Sequence, residues 1–159
     1  MIEVAVDDPR RADIAALIAE HLRDMHSTTP AESVHAIGVD ALCHSSITLW
    51  SAREGDSLLG IGALKQLDAS SGEIKSMRTP EAHRGRGIAS RILDAILAEA
   101  RRRGYAHVLL ETGSGEAFAA ARAFYARHGF VERGPFGEYT DDPNSTYMES
   151  ALRISAARP

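Results

Sequence analysis

The sequence predicts an α/β fold in which one mixed sheet carries helices on both faces. Strand-like segments dominate the first half of the chain, and two helical segments alternate with strands in the second half. The 159 residues are an ordinary length for one domain, and 44% of them are hydrophobic, which suits a sizeable core. Because no repeat, low-complexity tract or linker interrupts this order, we expect residues 1–159 to form a single domain.

The first half begins with a strand, because residues 2–6 alternate between apolar and other positions. Asp8 and Pro9 then resemble a helix N-cap followed by proline at the first helical position. Apolar residues at helical spacing predict that this helix runs from residue 9 to about 26. The other elements predicted in this half are a short helix at 39–43, a hairpin of strands at 47–53 and 58–67, and a fourth strand at 73–79.

The second half contains the clearest helix of the chain, which begins near Ile88. Ile92 and Ile96 fall on the same apolar stripe, and Gly104 closes the helix. The other elements predicted in this half are a buried strand at 108–110, a helix at 116–128, a strand that starts at Phe130, and a last strand from Ser145 to about Arg153.

Composition and charge argue against several classes of protein. The formal net charge is −4, so we expect no basic surface for nucleic acid. No apolar run approaches the roughly 18 residues of a membrane span, and the first residues do not resemble a signal peptide. We therefore expect a cytoplasmic protein without a membrane partner. The single cysteine, Cys43, cannot form an internal disulfide, and the seven histidines show no metal-ligand spacing, so no metal is expected.

The loop from Arg84 to Ala89 lies between a predicted strand and the clearest helix. A helix N-terminus offers unpaired N–H groups and a partial positive charge, and Gly85 and Gly87 would let the backbone approach a ligand closely. Arg84 and Arg86 can add charge-assisted contacts. This combination predicts a phosphate or pyrophosphate site, although a glycine-arginine segment before a helix can also be a simple turn.

The same loop partly matches the dinucleotide-binding fingerprint of a Rossmann fold. Gly85 and Gly87 supply two of its glycines, and Glu111 ends the next strand. Ser90 stands where the third glycine is required, and the connection from Thr79 is too long for the tight bend of that motif. These departures disfavour a nucleotide-dependent oxidoreductase.

The segment from Glu73 to Phe130 resembles the core of the GNAT superfamily of acyl-CoA N-acyltransferases. The signature R/Q-x-x-G-x-G/A of that family is matched by Arg84, Gly87 and Ala89, and residues 123–130 resemble its A-x-x-F/L-Y-x-x-x-G-F segment. Further segments are similar to a bacterial branch of the family, so that the resemblance covers nearly the whole chain: 73–79, 110–114, 134–136 and 139–145.

The resemblance implies a GNAT-like sheet of six or seven strands that splays between the fourth and fifth strands, with about four flanking helices. It implies an acetyl-CoA-dependent N-acetyltransferase that acts on a small-molecule amine by direct transfer, and it makes a homodimer possible. A backbone N–H near Met77 would polarise the thioester, and Tyr125 would be the general acid. The residues that it implies at the acetyl-CoA site are Met77, Arg78, Thr79, Arg84, Gly85, Arg86, Gly87, Ile88, Ala89, Ser90 and Tyr125.

One departure from the family concerns an asparagine that many members carry near the start of the tyrosine-bearing helix. That position falls near Phe118 here, so no side-chain contact to CoA is carried over from it. For the catalytic base, Glu73 and Glu111 are equal candidates, and ordered water alone is a third. The acceptor pocket is expected to include His21, Met25, Ser33, His35, Arg78 and Tyr139.

Two other functions remain open at this point. The fold could serve as a catalytically silent acyl-CoA-binding sensor or partner module. It could also acetylate a protein N-terminus or a lysine instead of a small amine.

Overall fold

The computed structural model describes residues 1–152 of the chain. Seven strands form one sheet in the order β1-β2-β3-β4-β5-β7-β6, in which β4 and β5 are parallel and the other neighbouring pairs are antiparallel. The strands are β1 Ile2–Asp7, β2 Ile47–Glu54, β3 Ser57–Asp68, β4 Ser71–Arg78, β5 His107–Gly113, β6 Val131–Arg133 and β7 Ser145–Ala151. The helices are α1 Ala12–Thr28, α2 Val39–Leu42, α3 Ile88–Arg102 and α4 Ala119–Arg127.

The predicted splay between the fourth and fifth strands is confirmed. The parallel ladder joins only residues 71–73 of β4 to residues 107–109 of β5. Beyond these pairs β4 runs on to Arg78 beside β3, and β5 runs on to Gly113 beside β7. The two strands therefore separate toward their carboxyl ends and leave an opening in the middle of the sheet.

An extra residue in β4 distorts the strand at the edge of this opening. Ile61 pairs with Arg78 and Ala63 pairs with Lys75, so that β4 takes three steps where β3 takes two. Ser76 has a φ of 55° and is the one non-glycine residue with positive φ in the part of the chain that the structure describes. Such a β-bulge re-aims backbone groups and side chains, and bulges are frequent beside active sites.

Helices cover both faces of the sheet, as predicted. On one face α3 buries Ile92 and Ile96 in a cluster that includes Trp50 of β2. On the other face α1 buries Ile14 and Ile18 against β2 and β3. A third, smaller cluster lies between the end of the sheet and the loop after β6, and it contains Leu109, Phe136 and Tyr147.

Two predicted helix boundaries were wrong. α1 begins at Ala12 and not at residue 9, because the carboxylate of Asp8 accepts the N–H of Arg10 and the chain first makes a turn. The predicted helix 116–128 is a 3-10 turn at Glu116–Phe118 followed by α4. Residues 153–159, including the predicted strand end at Arg153, lie outside the described residues. Up to residue 152, no helix combines the length and the hydropathy that a membrane crossing requires.

Candidate active site

The opening between β4 and β5 forms a cleft of about 660 Å³. Its walls are the two strands, the first turn of α3, one side of α4 and residues from α1 and the loop after it. Every residue predicted for the site lines this cleft except Arg86: His21, Met25, Ser33, His35, Glu73, Met77, Arg78, Thr79, Arg84, Gly85, Gly87, Ile88, Ala89, Ser90, Glu111, Tyr125 and Tyr139.

The glycine loop reaches the helix with both glycines in the left-handed region. The φ of Gly85 is 79° and that of Gly87 is 75°, and a Cβ on either would meet open space, so glycine is required here by the backbone angle. Gly87 is the N-cap of α3, and no side chain among residues 1–152 caps this end. Arg84 is held in the loop by a 3.3 Å hydrogen bond from its Nε to the carbonyl of Thr79. The unpaired N–H groups of the first turn are free to bind an anion.

The side chain of Arg86 does not enter the cleft, in contrast to the expectation. Its Nη2 donates to Oε1 of Glu54 at 3.0 Å, beside the β2–β3 hairpin. The hydrogen bond and charge of Arg86 lower the pKa of Glu54. Only the backbone of Arg86 belongs to the loop that faces the cleft.

Glu73 is a buried carboxylate whose partners are already in place. It is 3% exposed, and its Oε2 accepts a 2.5 Å hydrogen bond from the hydroxyl of Tyr139 and one of 3.4 Å from Nζ of Lys75. The same ammonium group donates to the hydroxyl of Tyr139 at 3.1 Å and to the carbonyl of His35 at 3.2 Å. This network ties β4 to the loop before α2 and to the loop after β6.

Glu111 lies on the same face of the sheet as Glu73 but in different surroundings. Leu109 pairs with Glu73 across the parallel ladder, and Glu111 follows two residues later on the same side of β5. Burial raises the pKa of Glu111, and the charge of Glu73 adds to the effect. A hydrogen bond with Ser145 and the charges of His35 and Lys75 act in the opposite direction and partly offset that rise in the pKa. Within residues 1–152, Glu111 has no ion-pair partner, so its carboxyl group is available to a ligand in the cleft.

Tyr125 lines the cleft from α4 and is 7% exposed. Its ring packs edge-on against Phe124 and Phe130, with centroids 5.2 and 5.6 Å away. Burial raises the pKa of this phenol above its ordinary value, so the group is protonated at any physiological pH. Its hydroxyl makes no hydrogen bond to residues 1–152 and can therefore donate to a ligand.

Several buried polar atoms around the cleft have no partner among the described residues. They belong to side chains that line it on the α1 side and on β4: Nδ1 of His21, Nε2 of His35, Oγ of Ser76 and Nε of Arg78. Burial lowers the pKa of His21 to about 4, and the charge of Arg78 adds to the effect, so this ring is neutral. Because buried polar groups almost always find a hydrogen-bond partner, these four atoms are available to water or to a polar ligand in the cleft.

The guanidinium group of Arg78 has less freedom than expected for an acceptor-binding group. Its Nη2 donates to Glu20 at 2.9 Å and also to Asp24, so its charge is balanced by two carboxylates of α1. These bonds join β4 to α1 at the rim of the cleft. The Nε atom of Arg78 has no hydrogen-bond partner among the described residues, so this N–H group is the part of the side chain that could bind an acceptor.

A second cavity of about 950 Å³ adjoins the cleft on the side of the loop after β6. The two share His35, Glu73, Lys75 and Tyr139, so the hydrogen-bonded network around Glu73 is the wall between them.

Sequence reasoning did not predict Lys75 as a site residue, although it lies two residues after Glu73 on the same face of a strand. No sequence pattern indicates the bulge at Ser76.

The chain matches the family model described as "Acetyltransferase (GNAT) family" over residues 14–130. It is 45% identical to the uncharacterised N-acetyltransferase YsnE of Bacillus subtilis (strain 168) over 95% of this chain and 100% of that protein. The chain belongs to the acetyltransferase (GNAT) family. A second GNAT relative is named IAA acetyltransferase, from Azospirillum brasilense, at 36% identity over 95% of this chain and 98% of that protein.

Superposition on solved structures also indicates a GNAT fold. The crystal structure of an acyl-CoA N-acyltransferase from Klebsiella pneumoniae superposes with a TM-score of 0.78 and 28% identity, and the match covers 96% of this chain and 99% of that one. A GNAT family acetyltransferase from Elizabethkingia anophelis, crystallised with acetyl-CoA bound, superposes with a TM-score of 0.66 at 15% identity, with 95% and 98% of the two chains covered. At that identity the second match shows the fold alone.

Proposed function

We propose that this GNAT chain transfers the acetyl group of acetyl-CoA directly to the amine of a small molecule, with both substrates bound together in the cleft. The observation that carries this proposal is the position of Glu111. A half-buried carboxyl group without an ion-pair partner lines the same opening as the uncapped N–H groups of the first turn of α3. One end of the cleft thus suits an anionic donor and the other suits a proton transfer.

The donor end fits a diphosphate. The first turn of α3 offers uncapped N–H groups and the positive end of the helix dipole, and Arg84 adds a cation that its bond to Thr79 holds in the loop. Acetyl-CoA brings an activated thioester, and this chain has to orient it and stabilise the charge that develops on its oxygen. Ser76 and Met77 are unpaired in the β3 ladder because of the bulge, so a backbone N–H at Met77 suits that role.

Glu111 suits the role of general base. Most amines are protonated near neutral pH and must lose a proton before nitrogen can attack the thioester. A carboxyl group works best as a base when its pKa is close to the working pH, and burial moves the pKa of Glu111 in that direction. Glu73 already accepts hydrogen bonds from Tyr139 and Lys75, so we assign it to holding the wall of the cleft.

Tyr125 suits the role of general acid. As the bond from the amine nitrogen to the acetyl carbon forms and the carbon–sulfur bond breaks, negative charge collects on sulfur. The buried phenol of Tyr125 is protonated, has no hydrogen bond to the described residues, and can give its proton to that sulfur. Glu111 holds the proton that the ammonium group loses before attack. The nitrogen loses a second proton after the new bond forms, and this proton replaces the one that Tyr125 gave to sulfur, so the products are the acetylated amine, the free thiol and one proton on Glu111.

A contact between two loops on the acceptor side favours a small molecule over a protein. Nδ2 of Asn144 donates to Oγ of Ser33 at 3.2 Å, which links the loop before β7 to the loop after α1 across this side. A lysine or N-terminus of a folded protein would need an open groove there. A homodimer and a cytoplasmic location stay predictions that follow from the resemblance and from the sequence.

The test is an acceptor screen that follows release of free CoA thiol from acetyl-CoA. The panel contains small amines, IAA, which the name of the Azospirillum brasilense relative mentions, and peptides with a free N-terminus or lysine. We expect turnover with a small amine, and Glu111→Gln should lower kcat by about 10²- to 10⁴-fold. Glu132→Gln, at an exposed position on β6, is the matched control and should retain full activity.

Three results would contradict the proposal. Peptides as the better acceptors would make the chain a protein acetyltransferase. CoA binding without turnover of any acceptor would favour the sensor. Full activity of Glu111→Gln would remove the assigned base.

A further inference from the structure

Arg127 is an exposed cation at the outer end of the cleft. It is the last residue of α4, it lines the cleft, and it forms no ion pair with residues 1–152. Nδ1 of His128 lies 2.8 Å from the carbonyl oxygen of Phe124, so this nitrogen carries the proton. Nε2 of His128 then accepts from Oγ of Ser90 at 3.3 Å. This contact holds the end of α4 beside the first turn of α3, next to the glycine loop.

The carboxylates that line the cleft lie at its inner end, where the basic side chains of Lys75 and Arg78 already have carboxylate partners. The carboxylates are Glu73 and Glu111, and both lie on the strands at the inner end. The outer end, which we define by His83, Arg84 and Arg127, contributes basic side chains and no lining carboxylate among the described residues. A basic side chain in the last turn of a helix also complements the helix dipole, but that role does not require a position at the cleft.

CoA carries more negative charge than the glycine loop accounts for. Its diphosphate suits the uncapped N–H groups of α3 together with Arg84. The phosphate monoester on its ribose 3′ oxygen carries between one and two further charges at neutral pH, because the second pKa of such a group is about 6. A second, separate cation beside the loop would meet that group, and arginine is well suited to phosphate because it donates two parallel hydrogen bonds.

We propose that Arg127 binds the ribose 3′-phosphate of CoA and makes the chain prefer CoA over 3′-dephospho-CoA. The proposal rests on the proposed function, because it takes CoA as the ligand of the cleft. It adds a residue outside the glycine loop that selects the donor by its 3′-phosphate.

Isothermal titration calorimetry with CoA and with 3′-dephospho-CoA tests this assignment without any acceptor. The wild type should bind CoA about three- to tenfold more tightly than 3′-dephospho-CoA, the range expected for a partly exposed charge-assisted pair. Arg127→Gln should weaken the binding of CoA by the same factor and leave the Kd for 3′-dephospho-CoA unchanged. Arg101→Gln, at an exposed arginine in the last turn of α3 away from the cleft, is the matched control and should behave like the wild type.

The outcomes separate this assignment from the proposed function. Equal affinity of the wild type for the two ligands would overturn the role of the 3′-phosphate while leaving CoA as the ligand. An equal loss for both ligands in Arg127→Gln would also overturn it, because the arginine would then act on a shared part of CoA or on the fold. Absence of binding to either ligand would overturn the proposed function and this assignment together.

Discussion

Glu73 and Glu111 lie on neighbouring parallel strands and on one face of the sheet, yet only Glu111 lacks a fixed partner. The carboxylate of Glu73 meets the ammonium group of Lys75 and the hydroxyl of Tyr139, whereas Glu111 is half-buried and makes no ion pair with residues 1–152. The sequence marked both as bases with equal weight, because each ends or begins a strand near the cleft. One of the two partners of Glu73, Tyr139, comes from the loop after β6, which no local sequence pattern connects to β4.

The buried charge of Glu111 predicts a stability effect that depends on pH. Burial raises its pKa above the unfolded value, so between the two pKa values the folded chain binds more protons than the unfolded one. Folding stability therefore falls as pH rises through this window, and the penalty is complete above the folded pKa. Glu111→Gln should unfold at a higher temperature than the wild type at neutral pH and lose this advantage near pH 4, about the ordinary glutamate pKa.

Thermal unfolding from pH 4 to pH 8 measures this difference, with the exposed Glu132→Gln as the control that should show none. A Glu111→Gln variant that is less stable than the wild type at neutral pH would show that the native carboxylate is stabilised, and not penalised, in the cleft.

At the scale of elements, the bulge in β4 is the feature that the sequence did not reveal. The strand itself was predicted, because residues 73–79 follow a turn and precede the loop and helix of the family signature. The extra residue at Ser76 depends on how β4 pairs with β3, since Ile61 and Ala63 face Arg78 and Lys75 across the ladder. The predicted start of α1 was also wrong. The carboxylate of Asp8 accepts a hydrogen bond from the N–H of Arg10 in a turn, and it does not cap the helix.

The positive φ of Ser76 predicts that glycine is the more stable residue at this position. A left-handed conformation costs a residue with a Cβ roughly 1–2 kcal/mol, and glycine avoids that cost. Ser76→Gly should therefore raise the free energy of unfolding by about 1 kcal/mol in urea denaturation, after a partial loss to unfolded-state entropy. Ser76→Val should lower it, because a β-branched side chain is strained there. Destabilisation by glycine would mean that the serine hydroxyl contributes more than the strain removes.

At the scale of the whole molecule, the short parallel ladder between β4 and β5 determines where the cleft lies. Three residue pairs join the two halves of the sheet, and beyond them the strands separate into the cleft. The donor end could be predicted from the sequence because residues 84–90 form one continuous segment. The residues on the opposite side of the cleft were expected only from the family resemblance, because contacts there, such as that of Asn144 with Ser33, join residues 111 positions apart in the sequence. Arg127 stands at an unspecified position of the segment 123–130, and it became a candidate only once the fold placed it at the cleft.

The central claim is that the glycine loop binds acetyl-CoA, and thermal unfolding with and without acetyl-CoA tests it most directly. A ligand that binds only the folded chain adds about 2.7 kcal/mol at a hundredfold excess over Kd, so the wild type should melt at a clearly higher temperature. Gly87→Asp should abolish this shift, because its carboxylate would repel the diphosphate. Gly55→Asp is the matched control, since Gly55 also has a positive φ and open space around it but lies in the β2–β3 hairpin, and it should keep the shift. A folded wild type that acetyl-CoA does not stabilise, or a Gly87→Asp variant with an undiminished shift, would contradict the account.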